Sequence, residues 1–537
     1  MASEQRLRLF LDTLSQVPSL ARVALLHVLR LSQQSKYLDL RTELVVAALR
    51  SFVNSPRPLS ITATQALLGR DPGVKGRIWV SRYANPVPAD AASVRDALLA
   101  AIDGLAADMH CKTETETGSS HSTPSSSSMK NSEAAQPPAS SLLSQTPEVV
   151  SVEAEWTGYR ASATPQSPLP GGSERERYDE MMKACGGGGG GEGGTETKTT
   201  STTTIMYMHG GAYWLMDPAT HRPVVKRLAK LTGGRCYSVR YRLAPQHPFP
   251  AAILDGLVAY LTLLYPPPDA FHEAVSPKHI VFSGDSAGGN LCLALVQTIL
   301  ELNRQKRRVS WFGEERDLPL PAGVAVSSPW LDMTLSSPSW RTNVQWDYLP
   351  PGGRDHMDSP NRPPCAAWPA SPPRRSVYID DSLVLHPLAT LLAARDWAGA
   401  PPTYICTGWE LLADEDKAMA GRLAGAGVRV VLEEYEAMPH CFALVFRGRL
   451  AASDRCFDAW AGFVREVVAG PGAGRDGPST FTTIRARTLD EVPLAPEELR
   501  PRSEEEMREE LGRRYRHLMQ GGVGVGAALP AGAAAKL

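Results

Sequence analysis

Short apolar runs alternate with helical patterns from residue 204 to about residue 468, and few folds accommodate such an order. The runs are short enough to be strands, which we predict at 205–208, 235–239, 279–282, 322–326, 402–407 and 428–435. Helical patterns between and after them begin near residues 219, 249, 287 and 454. Strands that alternate with helices indicate βαβ units and a mostly parallel sheet covered by helices on both faces. The predicted fold class is therefore α/β, with reactive groups at the carboxyl ends of the strands.

Three stretches of biased composition interrupt this pattern. Residues 111–147 are rich in Ser and Thr, and residues 185–204 include six consecutive glycines. Both have too little apolar surface to offset the entropy of ordering, and we predict that they are disordered insertions. Residues 348–375 hold eight prolines and are too long for an ordinary connection, so they form either a lid or another insertion. The rest of residues 149–468, which a predicted strand at 149–159 opens, then forms one domain.

The two ends of the chain have a different character. Residues 1–108 are predicted to be helical, and within them residues 18–31 are amphipathic. That helix either packs on its own domain or lies on a membrane surface, which would be a peripheral contact. Residues 470–537 are predicted to be a tail with one charged helix, opened by Ser503 with Glu506 three residues later. The last residues, Ala535-Lys536-Leu537, resemble a peroxisomal address.

Composition narrows the partners and the compartment. With 56 Lys and Arg against 57 Asp and Glu, the net charge of −1 provides no long-range field, so nucleic-acid binding is not expected. The eight cysteines are scattered without a CxxC pair, and no signal-peptide pattern opens the chain, which favours an intracellular protein, cytoplasmic or membrane-associated. Neither HExxH nor a Cys/His cluster is present, so we expect neither a metal nor a cofactor. The oligomeric state stays open.

A G-x-S-x-G pattern marks the first chemical motif, with Ser286 between Gly284 and Gly288. By itself the pattern is weak, but here it follows an apolar strand and opens a long apolar helix, which is the setting of a nucleophile elbow. The flanking glycines allow a sharp turn, so that the Ser286 hydroxyl projects above the sheet at a helix N-terminus. Asp285, directly before the serine, belongs to the same motif.

A second motif, Met-His-Gly-Gly-Ala at 208–212, follows the strand predicted at 205–208. The backbone N–H groups of Gly210, Gly211 and Ala287 are the predicted donors to an oxyanion. His209 is predicted to anchor this loop rather than to act as a base. The aromatic residues that follow, Tyr213 and Trp214, are either part of an acyl pocket or core residues, and the sequence leaves both open.

Taken together, these motifs make the chain resemble the hormone-sensitive-lipase-like branch of the α/β-hydrolases. The resemblance rests on the two glycine motifs and on four further stretches in the expected order: YRLAPQHPFPA at 241–251, SSPWLD at 327–332, HPL at 386–388 and MPHCF at 438–442. It implies an α/β-hydrolase catalytic domain at 149–468 with a helical cap drawn partly from residues 1–108, and a serine esterase activity. The biased stretches and the tail fall outside it.

The resemblance also places the remaining catalytic groups. It assigns the catalytic histidine to His440, in a turn after the last predicted strand, and aligns the acid with Glu410. Asp414, four residues later, is the alternative acid. A serine hydroxyl is a weak nucleophile, so an imidazole must accept its proton, and a carboxylate must orient that imidazole. The order Ser286, Glu410, His440 is that of the α/β-hydrolases.

The sequence therefore predicts a serine carboxylester hydrolase acting on a small or medium apolar ester, a small-molecule substrate. On the same triad, a sterol or xenobiotic ester deacetylase and an acyltransferase are alternatives, because the residues that exclude water cannot be identified without the fold. A non-catalytic small-molecule-binding protein of the same fold is the alternative from another class. The presence of both Ser286 and His440 favours the enzyme.

Overall fold

The computed structural model describes residues 16–55, 57–116, 137–186, 203–351, 362–470, 477–499 and 502–520. Twelve strands lie within these ranges: β1 (Ile78–Asn85), β2 (Val152–Tyr159), β3 (Thr204–Met208), β4 (Arg235–Val239), β5 (Ile280–Asp285), β6 (Val309–Trp311), β7 (Glu314–Arg316), β8 (Gly323–Ser327), β9 (Thr403–Gly408), β10 (Val430–Tyr435), β11 (Thr480–Ile484) and β12 (Glu491–Pro493).

Ten of the strands form one sheet in the order β1-β2-β4-β3-β5-β8-β9-β10-β11-β12, and β6 with β7 forms a separate hairpin. Strands β4 through β11 in that order are parallel, whereas β1, β2 and β12 pair antiparallel at the two edges. In the centre, Met208 pairs with Gly284 and Asp285 pairs with Ser327. This register brings the carboxyl ends of β3, β5 and β8 to one edge, where the sequence places the predicted motifs.

Helices connect the strands and cover the sheet. The helices of the described ranges are α1 (Val17–Val28), α2 (Leu40–Val53), α3 (Ile61–Leu68), α4 (Ala92–Glu116), α5 (Glu174–Gly186), α6 (Pro218–Thr232), α7 (Ala251–Leu264), α8 (Ala287–Arg304), α9 (Ser339–Thr342), α10 (Ala413–Gly425), α11 (Phe442–Val445), α12 (Ala451–Ala469), α13 (Pro496–Leu499) and α14 (Glu504–Met519). Short 3-10 turns occur among the loops, one of them at Gln34–Lys36 and another at Ala139–Leu142.

Two hydrophobic cores lie on opposite faces of the sheet, because successive side chains of a strand point to opposite sides. In β3, Met206 and Met208 belong to one core, which contains much of α4, α7 and α8. Ile205 and Tyr207 belong to the other, which contains the inward faces of α6 and α12. Every residue of β3, β5, β8 and β9 is buried, as expected for parallel strands covered on both faces. The predicted α/β architecture, a mostly parallel sheet flanked by helices, is confirmed.

The predicted helical character of residues 1–108 is wrong for one segment. Residues 78–85 form β1, which pairs antiparallel with β2 along its whole length and closes one edge of the sheet. Its first three residues, Ile78, Trp79 and Val80, are consecutive and apolar, so the segment lacks the alternation that would have indicated a strand. The sheet therefore begins well before residue 149.

The prediction of a tail with one charged helix is also incomplete. Helix α14 is present, and Ser503 and Glu506 form the predicted capping box at its start. However, β11 pairs in parallel with β10, and β12 continues the sheet beyond it. The sequence of β11, TFTTI, is only partly apolar because its first three residues are exposed or half-buried, and that composition conceals the strand.

The segments predicted to be disordered insertions include residues that the structure places in helices and strands. Helix α4 continues to Glu116, α5 ends at Gly186, and β3 begins at Thr204, so parts of 111–147 and 185–204 are regular structure. The remaining parts, 117–136 and 187–202, lie outside the described residues, as do 352–361 of the proline-rich stretch and the final residues 535–537. Among the helices of the described ranges, none is long and apolar enough to span a bilayer.

Candidate active site

The nucleophile elbow has the geometry that its glycines predict. Ser286 joins β5 to α8 with a backbone φ of 52° and ψ of −121°, a strained conformation for a non-glycine residue. The N–H of Ser286 donates to the carbonyl oxygen of Ser327 at 3.0 Å, which holds the strained turn. A Cβ on Gly284 would lie 2.5 Å from the carbonyl oxygen of Met208, and one on Gly288 would clash with the same oxygen. Both glycines therefore allow the elbow to pack against the end of β3.

The predicted oxyanion donors lie beside this turn. Gly211 has a φ of 110°, which a side chain would disfavour, and a Cβ on Gly210 would clash with the carboxylate of Asp285. Within the described ranges, the N–H groups of Gly210 and Gly211 donate to no other residue. Ala287 is the first residue of α8, so its N–H has no acceptor inside the helix. These three N–H groups are thus without an acceptor in the described ranges, as donors to an oxyanion would need to be.

Asp285 and His209 form the buried support under these loops. Tyr207 Oη donates to Asp285 Oδ1 at 2.7 Å, and His221 Nε2 lies 3.4 Å from the same oxygen. Burial alone would raise the pKa of Asp285, but His221 and Tyr207 hold it below its usual value. Burial and the neighbouring His221 lower the pKa of His209 to about 3, and Tyr241 Oη donates to the His209 carbonyl oxygen at 2.6 Å. His209 is therefore neutral, and its predicted role as an anchor of this loop stays a prediction.

His440 and Glu410 meet in a fully buried pair. Nδ1 of His440 lies 2.5 Å from Oε2 of Glu410, and the other carboxylate oxygen accepts from Thr407 Oγ1 at 2.8 Å and from the Gly408 N–H at 3.1 Å. Burial would raise the pKa of Glu410, yet His440 holds it below its usual value. Burial would lower the pKa of His440, but Cys441 and Glu410 outweigh it, and the pKa is raised. The pair is thus charge-assisted.

The alternative acid lies elsewhere. Asp414 is partly exposed in the first turn of α10, where Oδ2 accepts from the Ser339 N–H at 2.8 Å and Oδ1 lies 3.5 Å from Lys417 Nζ. It makes no hydrogen bond or ion pair with His440 in the described part of the chain. Of the two predicted carboxylates, the structure therefore brings only Glu410 to the histidine.

The other imidazole nitrogen faces the elbow side of the site. Nε2 of His440 lies 3.4 Å from Sγ of Cys441, which in turn lies 4.0 Å from Oδ2 of Asp285. Burial raises the pKa of the Cys441 thiol to about 12, so the thiol is neutral and a weak hydrogen-bond partner. No hydrogen bond joins the Ser286 hydroxyl to any residue of the described ranges, which is common for a catalytic contact that tightens on substrate binding.

A residue that the sequence did not identify, Asp347, ties the acid loop to the histidine loop. Its buried carboxylate accepts from the Leu411 N–H at 2.8 Å through Oδ2 and from the His440 N–H at 3.2 Å through Oδ1. Tyr348 and Leu349 donate their N–H groups to Oδ1 as well. Burial raises the pKa of Asp347, with His440 opposing and Glu410 adding to the shift. Because Asp347 contacts the backbone of both loops, it is a positioning residue.

Replacing Asp347 with asparagine tests this position. The NH2 group of asparagine cannot accept a hydrogen bond. It would face a backbone N–H of one of the two loops, and that buried donor would be left unpaired. We expect kcat to fall by about 10- to 100-fold and KM to change by less than about twofold. The measurement is steady-state hydrolysis of p-nitrophenyl butyrate.

Asp332→Asn provides the matched control for that substitution. Asp332 is also buried and accepts backbone N–H groups, from Thr334 and Ser336 at 2.7 Å, but among the described residues it makes no hydrogen bond or ion pair with Glu410 or His440. Equal losses of kcat in the two variants would mean that Asp347 has only a structural role.

The aromatic pair next to the oxyanion loop is buried. Tyr213 stacks on Tyr378 with ring centroids 3.8 Å apart, and its hydroxyl donates to Asn290 Oδ1 at 2.6 Å. Trp214 is buried as well, with the guanidinium of Arg362 4.9 Å from its ring. Their packing is that of core residues, and a part for them in an acyl pocket stays a prediction. Among the described residues, no cluster of His, Cys, Asp and Glu side chains has a metal-binding arrangement.

Comparisons with known proteins match this chain to hydrolases and esterases. A family described as alpha/beta hydrolase fold matches residues 205–444, a range that includes Ser286, Glu410 and His440. An esterase of Acinetobacter venetianus is 30% identical over 272 residues, which cover 49% of this chain and 72% of the relative. Carboxylesterase NlhH of Mycobacterium tuberculosis is 31% identical over 258 residues, 47% of this chain and 70% of the relative.

Two further proteins show the same kind of likeness. An acetyl-hydrolase of Streptomyces hygroscopicus is 29% identical over 237 residues, which cover 44% of this chain and 67% of the relative. A crystal structure of an esterase from the bacterial hormone-sensitive lipase family aligns with 59% of this chain and 82% of its own, at 26% identity and a TM-score of 0.42.

Proposed function

This chain belongs to the hormone-sensitive-lipase-like α/β-hydrolases and is a carboxylic ester hydrolase, and from that premise we propose that Ser286, His440 and Glu410 are its catalytic triad. The observation that carries the assignment is the buried contact between Nδ1 of His440 and Glu410, 2.5 Å long. It fixes the tautomer in which Nε2 carries no proton and can accept one.

The proposed reaction begins with attack of the Ser286 hydroxyl on the ester carbonyl carbon. His440 accepts the hydroxyl proton at Nε2 and then donates it to the leaving alcohol. The N–H groups of Gly210, Gly211 and Ala287 donate to the oxygen on which negative charge develops. A water molecule, deprotonated by His440, then attacks the acyl-enzyme, and the carboxylic acid and the free serine are released.

Asp285 and His209 have supporting roles in this proposal. The Asp285 carboxylate fills the space beside Gly210, where a Cβ would clash with it, and so holds the oxyanion loop against the elbow. A neutral His209 cannot compete with His440 for the proton of Ser286, because its pKa is about 3. The base of the reaction is then His440 alone.

For the substrate, we propose a small or medium apolar ester. The relatives are named as an esterase, a carboxylesterase and an acetyl-hydrolase, which supports ester cleavage without identifying an acyl chain. Deacetylation of a sterol or xenobiotic ester and acyl transfer to an alcohol use the same triad, and a panel of substrates separates them.

The test combines active-site labelling with an ester panel. A fluorophosphonate probe is expected to label one residue per chain, and peptide mass spectrometry is expected to locate the label on Ser286. Turnover of p-nitrophenyl esters of increasing chain length then gives the acyl preference, with and without a competing alcohol. Labelling at another residue would refute the assignment of the nucleophile, and a predominance of ester product over free acid would identify an acyltransferase. A folded protein that binds esters without label or turnover would be a binding protein.

A further inference from the structure

Helix α1 is apolar, yet none of its twelve residues is buried. Ten large hydrophobic side chains are exposed in the described ranges, and five of them lie in α1 and the turn after it: Val17, Leu25, Val28, Leu29 and Leu31, each between 54% and 69% exposed. A short helix gains most of its stability from burial of its apolar side, and on α1 that side, with Leu20, Val23 and Leu26, is only half-buried. An exposed apolar area of this kind marks a surface that contacts something else.

A groove between α1 and α2 extends this apolar area. It is a shallow, open groove of about 790 Å³ lined mainly by apolar side chains, among them those of Leu20, Ala24, Leu44 and Val45. We call α1, the turn to residue 39 and α2 the helix pair. A short contact between His27 Nδ1 and Glu43 Oε2, 2.5 Å long, ties its two helices together.

The charge of this region differs from that of the whole chain. Residues 17–53 contain five Lys and Arg against two Asp and Glu, a net charge of +3 in a chain whose net charge is −1. Arg22, Arg30, Lys36 and Arg41 are exposed, whereas Glu43 is buried beside His27. The surface around the apolar area is therefore cationic. A partner that covers the apolar area and its cationic surroundings would need an apolar interior and an anionic surface.

We propose that the helix pair is a docking surface for an anionic phospholipid bilayer. The exposed Val and Leu side chains of α1 enter the boundary between headgroups and acyl chains, and the surrounding arginines and lysine pair with lipid phosphates and carboxylates. This use of the helix pair does not depend on the proposed triad, since binding needs no turnover.

The helix pair also contacts the segment that contains Asp347. On α2, Arg50 donates to the carbonyl oxygens of Gln345 and Asp347, with Nη2 2.8 Å from the first and Nε 2.8 Å from the second. The ring of Tyr37 contacts those of Trp346 and Trp409, with centroids 5.3 and 5.5 Å away. Because Asp347 also contacts the backbone of His440, docking of the helix pair would hold the active site next to the bilayer, in which apolar esters dissolve.

Vesicle co-sedimentation tests the docking. Wild-type protein is expected to bind vesicles of phosphatidylcholine with about 30% phosphatidylserine at least about tenfold more strongly than vesicles of phosphatidylcholine alone. The double substitution Leu25→Asp and Val28→Asp is expected to weaken binding to the anionic vesicles by at least about tenfold. Both side chains are more than half exposed, so the fold should tolerate the change, which circular dichroism checks.

A matched control adds the same two charges elsewhere. Val87 and Leu142 are 40% and 41% exposed and lie outside the helix pair, and V87D/L142D is expected to bind vesicles within about twofold of wild type. If L25D/V28D does not fold, the charge reversal R22E/R30E replaces it, with the same expected loss on anionic vesicles.

Three outcomes would overturn the proposal. The first is that L25D/V28D or R22E/R30E binds anionic vesicles as strongly as wild type does. The second is equal binding of wild type to neutral and anionic vesicles. The third combines two results: wild type does not bind vesicles, and it forms a dimer in light scattering that the L25D/V28D substitutions dissociate. A second copy of the chain would then cover the helix pair. Because S286A can be used throughout, an inactive enzyme would not obscure any of these results.

Discussion

Replacing Ser286 with alanine is expected to lower kcat/KM for p-nitrophenyl butyrate by at least about 10⁴-fold. The alanine removes the nucleophile, while the N–H donors of Gly210, Gly211 and Ala287 remain and provide a small residual rate. His440→Ala is expected to cause a loss of similar size, and the double variant should be hardly slower than either single one, because the two side chains act as a unit. Initial rates over a range of substrate concentrations give all three values.

A second serine provides the control for Ser286→Ala. Ser283 lies on β5, three residues before the nucleophile, and its hydroxyl donates to the Ala325 carbonyl oxygen at 2.7 Å inside the core. Ser283→Ala is expected to keep activity within about threefold of wild type. It is expected to lower stability by about 1 to 3 kcal/mol, because it also leaves the buried Trp460 indole N–H, which donates to Ser283 Oγ at 3.1 Å, without an acceptor. If S286A retained the rate of S283A, the hydrolysis would come from another group and the proposed triad would be wrong.

The second large effect is expected at the acid. Glu410→Gln keeps the size of the side chain but removes the negative charge that faces Nδ1 of His440, so the imidazolium formed during attack loses its partner. We expect kcat to fall by about 10³- to 10⁴-fold, whereas Asp414→Asn should change it by less than about threefold. A larger loss for D414N than for E410Q would reverse the assignment.

The same substitution is expected to move the pH dependence. In the wild type, the raised pKa of His440 places the acid limb of kcat/KM above the usual range for histidine, because only the neutral imidazole accepts the serine proton. Without the Glu410 carboxylate, the charged imidazole is less stable, and burial then acts to lower the pKa. The acid limb of E410Q should thus shift to lower pH, and an unchanged limb would contradict the ion pair.

The sequence predicts those parts of the site that adjacent residues define. The elbow around Ser286 and the donors at Gly210 and Gly211 depend on local backbone conformation, which glycines encode directly. The strands that carry them are buried on both faces, so their apolar runs are easy to identify. The pairing of His440 with Glu410 was an expectation of the resemblance, and the contact at 2.5 Å agrees with it.

What the sequence could not supply depends on contacts between distant segments. Asp347 lies 63 residues before Glu410 and 93 before His440 in a stretch without a motif, and its role is apparent only where three loops meet. Strands β1 and β11 lack a clear strand pattern, because β1 begins with three consecutive apolar residues and β11 is rich in threonine, and only their pairing identifies them. No local signal in either case would have been sufficient.

The bond from Arg50 to the 345–347 backbone makes the chemistry depend on residues far from any catalytic motif. A shortened enzyme that starts at residue 149 would keep every motif of the family, but it would lose Arg50 together with β1, the strand that pairs with β2. The segment of Asp347, which contacts the His440 backbone, would then lose its hydrogen bonds from Arg50. The sheet would end at β2, whose edge would be unpaired. Because the helical region provides both a strand of the sheet and a contact of the Asp347 segment, exchange of such regions between relatives must preserve the partners of Arg50.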